Sequence, residues 1–127
     1  MIAVDTSALM AIVLDEPSAA ACIAALEAED EVLISAGTMA EALIVSARRN
    51  VGEEVARLID GLGFTVVTVT PASARRIAEA YRRWGKGRSA AALNFGDCFA
   101  YALAKERACP LLYVGDDFAK TDVAGVL

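Results

Sequence analysis

Apolar residues in this chain fall into short unbroken runs that stop at acids, hydroxyls or glycines, separated by stretches with the three- and four-residue spacing of helices. The first run, Ile2, Ala3 and Val4, ends abruptly at Asp5, Thr6 and Ser7. Residues 8–14 are apolar and helix-compatible, and Asp15, Glu16 and Pro17 break them; a second helix is expected over 18–29, with Ile23 and Leu26 in its stripe. Val32, Leu33 and Ile34 predict a strand closed by Ser35, Gly37 and Thr38, after which a helix carries Glu41 ahead of Ala42, Leu43, Ile44 and Val45. Arg48, Arg49 and Asn50 end that helix, and Gly52 opens another with Val55, Leu58, Ile59 and Leu62 on its apolar face. Residues 64–69 have the Val- and Thr-rich composition of a strand, and Pro71 opens a helix where proline is tolerated.

That helix runs to Trp84 with Ile77, Ala80, Tyr81 and Trp84 on its apolar face. After the loop from Gly85 to Ser89, Asn94 is a reasonable cap for a strongly apolar helix containing Asp97, Cys98 and Phe99. Pro110 precedes a buried strand over 111–114 that ends in Gly115, Asp116 and Asp117, and residues 123–127 read as a brief terminal strand. The order βαα, βαα, βα, αβ predicts an α/β fold: a three-layer α/β/α arrangement with a mostly parallel sheet and helices on both faces.

A chain of 127 residues is read as a single domain, 1–127, large enough for one substantial core. With 57% hydrophobic and 23% charged residues it has the composition of a folded protein. No apolar stretch reaches the length of a membrane span, so a soluble, unexported, cytoplasmic protein is expected. Cys22, Cys98 and Cys109 are odd in number and lack C-x-x-C spacing, which argues against a disulfide framework and a zinc site. Histidine is absent, which excludes imidazole general-base catalysis and leaves carboxylates, hydroxyls, lysines or a bound hard cation.

A net charge of −5 argues against a surface that attracts nucleic acid everywhere, but Arg75, Arg76, Arg82, Arg83, Lys86 and Arg88 crowd into one stretch. Lys86 and Arg88 stand in a loop with two glycines and are expected to contact RNA phosphates. Tyr81 and Trp84 suit either base stacking or packing inward, and packing is the commoner use of such a stripe.

The acids are more telling than the net charge. Asp5 and Asp116 each follow a strand, Glu41 comes shortly after another, and Asp97 begins a helix. Three of them have an ordinary local explanation: Asp5 or Ser7 as a helix cap, Thr38 with Glu41 as a capping box, Asp97 as dipole complement. Asp122 reads as turn chemistry, and the acids at 27–31 as a solvated turn. Four acids predicted at the carboxyl edge of one parallel sheet, where such folds bind ligands, point elsewhere. Carboxylates gathered together repel unless a cation is present, and an all-oxygen set suits Mg²⁺ or Mn²⁺, which assist in-line phosphodiester displacement.

Ile2-Ala3-Val4-Asp5-Thr6-Ser7, Glu41 after the second strand, Asn94-Phe95-Gly96-Asp97 and Gly115-Asp116-Asp117-Phe118 resemble the four acidic blocks of a PIN domain. With the loop from Gly85 to Arg88, the chain resembles most the VapC ribonuclease toxins of bacterial type II toxin–antitoxin systems, over essentially its whole length. The resemblance implies a four- to five-stranded sheet and a Mg²⁺- or Mn²⁺-dependent endoribonuclease cutting single-stranded regions of tRNA or rRNA. It also implies homodimerisation and neutralisation by a VapB antitoxin. By position, Asp5 and Asp97 would be the principal metal ligands, and Glu41 and Asp116 would complete the acidic site. Asp117 could take the place of Asp116, and Thr6 or Ser7 would hold the first carboxylate. The nearest alternatives are a PIN nuclease of RNA maturation and a PIN module that binds RNA or a partner without cutting. A phosphatase using Asp5 as nucleophile would carry a second aspartate where this chain has Ser7.

Overall fold

The computed structural model describes residues 1–127. Its strands are β1 (Ile2–Val4), β2 (Val32–Ser35), β3 (Thr65–Val67) and β4 (Leu111–Leu112). They form one sheet in the order β3-β2-β1-β4, with every pairing parallel. The helices are α1 (Thr6–Val13), α2 (Ala19–Glu27), α3 (Ala36–Arg48), α4 (Gly52–Gly61), α5 (Pro71–Trp84) and α6 (Phe95–Arg107). None is long and apolar enough to cross a membrane.

The pleat sorts the strand residues into two cores. Ala3, Leu33 and Leu111 point to one face and pack with Ile77 and Ala80 of α5 and Cys98, Tyr101 and Leu103 of α6. Ile2, Val4, Val32, Ile34 and Leu112 point to the other, against Leu9, Cys22, Ala42, Val55 and Ile59 from α1 to α4. Both faces of β1 and β2 are thus covered, which explains why they read as continuous apolar runs without alternation. Because the sheet is wholly parallel, the ends of β1, β2 and β4 all open on one edge, and the Asp5 amide is tied there to the Leu112 carbonyl at 3.0 Å.

Several boundaries differ from expectation. The strand expected at 123–127 reduces to one bridge between Leu111 and Gly125, and β4 stops at Leu112. Asp122 is not a free turn residue. It accepts a hydrogen bond from the Tyr101 hydroxyl at 2.6 Å and lies near Lys105 and Arg83, at 3.4 and 3.6 Å. Tyr101 in turn accepts from the Trp84 indole at 2.9 Å, so Trp84 packs inward as expected, whereas Tyr81 stays exposed. All three cysteines are buried and free.

Candidate active site

The edge receives Asp5 because β1 ends there and α1 starts without a linker. Asp5 is the α1 cap: its Oδ2 accepts from the Ser7 amide at 3.0 Å and from the Ser7 hydroxyl at 2.7 Å. The Ser7 hydroxyl also accepts from the Val114 amide at 3.0 Å, which ties the end of β1 to the segment after β4. The cap thus engages one carboxylate oxygen fully, while Oδ1 is buried with no hydrogen-bond partner. Only 3% of Asp5 is exposed. Burial pushes its carboxyl up to about 7 against the pull of the Ser7 bonds, and the charges of Asp97 and Glu41 add to the rise.

Glu41 arrives differently from the expected capping box. Ser35 caps α3 by accepting from the Gly37 amide at 3.2 Å, so Glu41 lies beyond the first turn and Thr38 is a fully buried helix residue. The Thr6 hydroxyl lies 2.7 Å from Glu41 Oε1 and 3.4 Å from the Thr38 carbonyl. A hydroxyl has one proton, and the shorter bond to a carboxylate takes it. Thr6 therefore orients Glu41, and Ser7 orients Asp5.

Asp97 sits in the first turn of α6 in a reciprocal box with Asn94. Its Oδ2 accepts from the Asn94 amide at 3.0 Å, and its own amide donates to Asn94 Oδ1 at 2.8 Å. Burial raises its carboxyl above the usual range, and the charges of Glu41 and Asp117 raise it further. Of the adjacent pair after β4, Asp117 is the acid whose charge reaches Asp97. Both Asp116 and Asp117 are exposed.

The edge thus brings Asp5, Glu41 and Asp97 into mutual electrostatic reach, with Asp117 beside Asp97. They do not form a closed cage: no three of the chain's Asp, Glu and Cys side chains gather tightly enough to hold an ion as they stand. Like charges in a desolvated place have reason to stay apart until a cation offsets them. The donor set fits a hard divalent cation on two counts. It is all oxygen, and the partnerless Asp5 Oδ1 is a buried acceptor with no donor to satisfy it.

Two glycines, one expected only to close a strand and the other only to belong to an acidic block, shape the same edge. The Phe99 ring lies where a Gly37 side chain would be, and the Glu41 carboxylate lies where a Gly96 side chain would be. The signal available in the sequence was a glycine at the start of each of two helices, a poor choice for helix stability unless something must come close.

The loop after α5 returns to the same place. Gly85 bridges Leu93, and the Lys86 amide donates to the Leu93 carbonyl at 2.9 Å, one residue before the cap of α6. Lys86 and Arg88 are exposed in this loop and pair with no acid, whereas Arg76, Arg82 and Arg83 each have an acidic partner. On the other side of the α6 start, Phe95 is 71% exposed and Tyr81 40% exposed. They border an apolar groove of about 440 Å³ with Val69, Ile77 and Phe99.

Residues 2–124 match the family model of the PIN domain. The chain is 43% identical over 126 residues to Ribonuclease VapC30 of Mycobacterium tuberculosis, covering 97% of this chain and 96% of that protein. It is also 43% identical to Ribonuclease VapC of Mycolicibacterium smegmatis, over 97% of this chain and 98% of that one. Among solved structures, Mycobacterium tuberculosis VapC20, described as a sarcin–ricin loop cleaving toxin, superposes with a TM-score of 0.80 at 18% identity, covering 99% and 98% of the two chains. A chain of a toxin–antitoxin complex from Klebsiella pneumoniae gives a TM-score of 0.70 at 18% identity, covering 96% of this chain and 93% of that one. These two share the fold. With a family-model match over residues 2–124 and near full-length identity to named ribonucleases, the chain belongs to the PIN domain family, among its VapC ribonucleases.

Proposed function

We propose that this VapC ribonuclease is the toxin of a VapBC-type pair and hydrolyses single-stranded regions of tRNA or rRNA in the cytoplasm with the help of Mg²⁺ or Mn²⁺. The observation that carries the reading is the buried, partnerless oxygen of Asp5 within electrostatic reach of Glu41 and Asp97. Asp5, Asp97 and Glu41 would hold the cation, with Asp116 or Asp117 as the fourth acid. A bound divalent cation supplies the positive charge that lets these carboxylates ionise together and that stabilises a phosphodiester under attack by water.

The chain's own residues prepare that arrangement. Ser7 uses both hydrogen-bonding capacities of its hydroxyl, so Asp5 cannot rotate freely and Oδ1 stays directed away from its cap. The Thr6 hydroxyl restrains the Glu41 carboxylate, and the Asn94 amide restrains that of Asp97. Fixing carboxylates before substrate arrives avoids reorganising them during the reaction. Lys86 and Arg88 would take phosphates beside the start of α6, giving an acidic protein a local cationic contact for RNA. Asp117 is the better-supported fourth acid, because its charge acts on Asp97.

The apolar groove bordered by Tyr81 and Phe95 supports homodimerisation, since an exposed patch of this kind marks an association surface. An antitoxin that places a basic side chain among the acids would offset the same repulsion as a cation. The test is cleavage of a defined RNA by purified protein, with Mg²⁺ and with chelator. Asp5→Asn and Asp97→Asn are expected to lose cleavage while keeping the fold by circular dichroism. Cleavage by the double variant at the wild-type rate would remove the acidic site from the reaction.

A further inference from the structure

We infer that Gly96 is a positioning residue, and that the missing side chain at the second position of α6 is what admits the Glu41 carboxylate to the acidic site. Nothing in the local backbone requires glycine there: Gly96 is helical, and its φ is not positive. Alanine is the better helix former, so glycine weakens the start of α6 and needs another reason. That reason is across the contact between α3 and α6. A Cβ built on Gly96 would overlap the carboxyl carbon and an oxygen of Glu41, and would crowd the second oxygen at 2.9 Å.

Glu41 is thereby held on two sides. The Thr6 hydroxyl grips Oε1 at 2.7 Å, and the bare Gly96 backbone lets the group lie against the positive end of α6, beside Asp97. Gly37, against which the Phe99 ring packs, brings the start of α3 close to α6 one turn before Glu41. A methyl group at position 96 leaves the helices in contact, because what it meets is the far end of a flexible side chain. The glutamate arm yields instead, and its carboxylate leaves the cluster.

The inference rests on the reading of Glu41 as a cation-holding acid, so its test separates placement from ion binding. In chelator, a thermal double-mutant cycle uses Gly96→Ala and Glu41→Ala. Gly96→Ala is expected to lower the midpoint when Glu41 is present and to raise it when position 41 is alanine. Mn²⁺ titration calorimetry is then expected to give roughly tenfold weaker binding for Gly96→Ala, the scale found when a ligand loses its support. In RNA cleavage kcat falls and KM for RNA holds. Combining Gly96→Ala with Glu41→Asp, which withdraws the carboxylate by one methylene, recovers part of the Mn²⁺ affinity, although Glu41→Asp alone weakens it. Additive midpoints would overturn the placement of Glu41 by Gly96. Coupled midpoints with wild-type Mn²⁺ affinity in Gly96→Ala would overturn the functional role and, with it, the reading of Glu41 as a ligand.

Discussion

Replacing Asp5 by asparagine should make the metal-free protein less sensitive to rising pH, even as it removes activity. Burial raises the Asp5 carboxyl from 3.8 to about 7 in the folded chain, so the folded state keeps a proton that the unfolded state has released. Wild-type stability is therefore full below pH 3.8, falls as the pH rises through the window up to about 7, and levels off above it. At 1.36 kcal/mol per pKa unit the whole window is worth about 4 kcal/mol, and the part between pH 5 and pH 8 about 3 kcal/mol, as a ceiling. Asparagine has no charge to bury and remains a good cap, so its carbonyl oxygen, placed where Asp5 Oδ2 lies, can keep both the Ser7 amide and the Ser7 hydroxyl. Its NH₂ group then falls where the partnerless Oδ1 lies, a buried donor without an acceptor and a constant cost at every pH. The informative quantity is thus the change in the wild-type-to-variant difference with pH, measured by urea unfolding in chelator from pH 5 to pH 8. The variant should gain on the wild type by a kcal/mol or more, up to about 3 kcal/mol, as the pH rises. A difference that stays flat, or moves the other way, would refute the claim that Asp5 is an uncompensated buried charge. Adding Mn²⁺ at pH 8 should raise wild-type stability and leave the variant little changed.

Further outcomes follow from the same geometry. Asp117→Asn should lower the RNA cleavage rate more than Asp116→Asn, because the charge of Asp117 raises the Asp97 carboxyl; equal effects in a rate assay would count against that choice. Replacing Lys86 and Arg88 by glutamine should weaken RNA binding and reduce its salt dependence by about 0.7 log units per decade for each phosphate no longer neutralised, and an unchanged slope would rule the loop out. Tyr101→Phe should destabilise by about 1–3 kcal/mol, since it leaves the Trp84 indole donor unpaired. The Asp122 carboxyl is held below its usual value first by the Tyr101 hydrogen bond, so that bond stabilises above pH 3.8 and fades as the pH falls through the depressed value. The gap between wild type and Tyr101→Phe in acid unfolding should narrow accordingly.

Much of the site is legible because its residues carry local signatures. A run of apolar residues ending in Asp5, and Asn94 three residues before Asp97, declare a strand end and a helix cap without knowledge of the fold. The local explanations for Asp5 and Asp97 are true and coexist with convergence, since both acids do cap helices. Thr38 with Glu41 imitates a capping box, and the imitation fails because α3 starts earlier, at Ser35. Asp122 resembles an ordinary turn residue because its partners, Tyr101, Lys105 and Arg83, lie far along the chain. The strand expected at 123–127 has the apolar pattern but finds a partner only at Gly125.

The sequence by itself determined the order of elements, because periodicity, caps and breakers act over a few residues, and it raised the expectation of a parallel three-layer sheet with acids at its edge. Only the tertiary structure decided which oxygen of Asp5 is left free, that Thr6 serves Glu41 while Ser7 serves Asp5, and that the charge of Asp117 bears on Asp97. It also decided what Gly37 and Gly96 are for. Those facts depend on distances between residues dozens of positions apart, and a bare glycine records none of them until two helices meet across it.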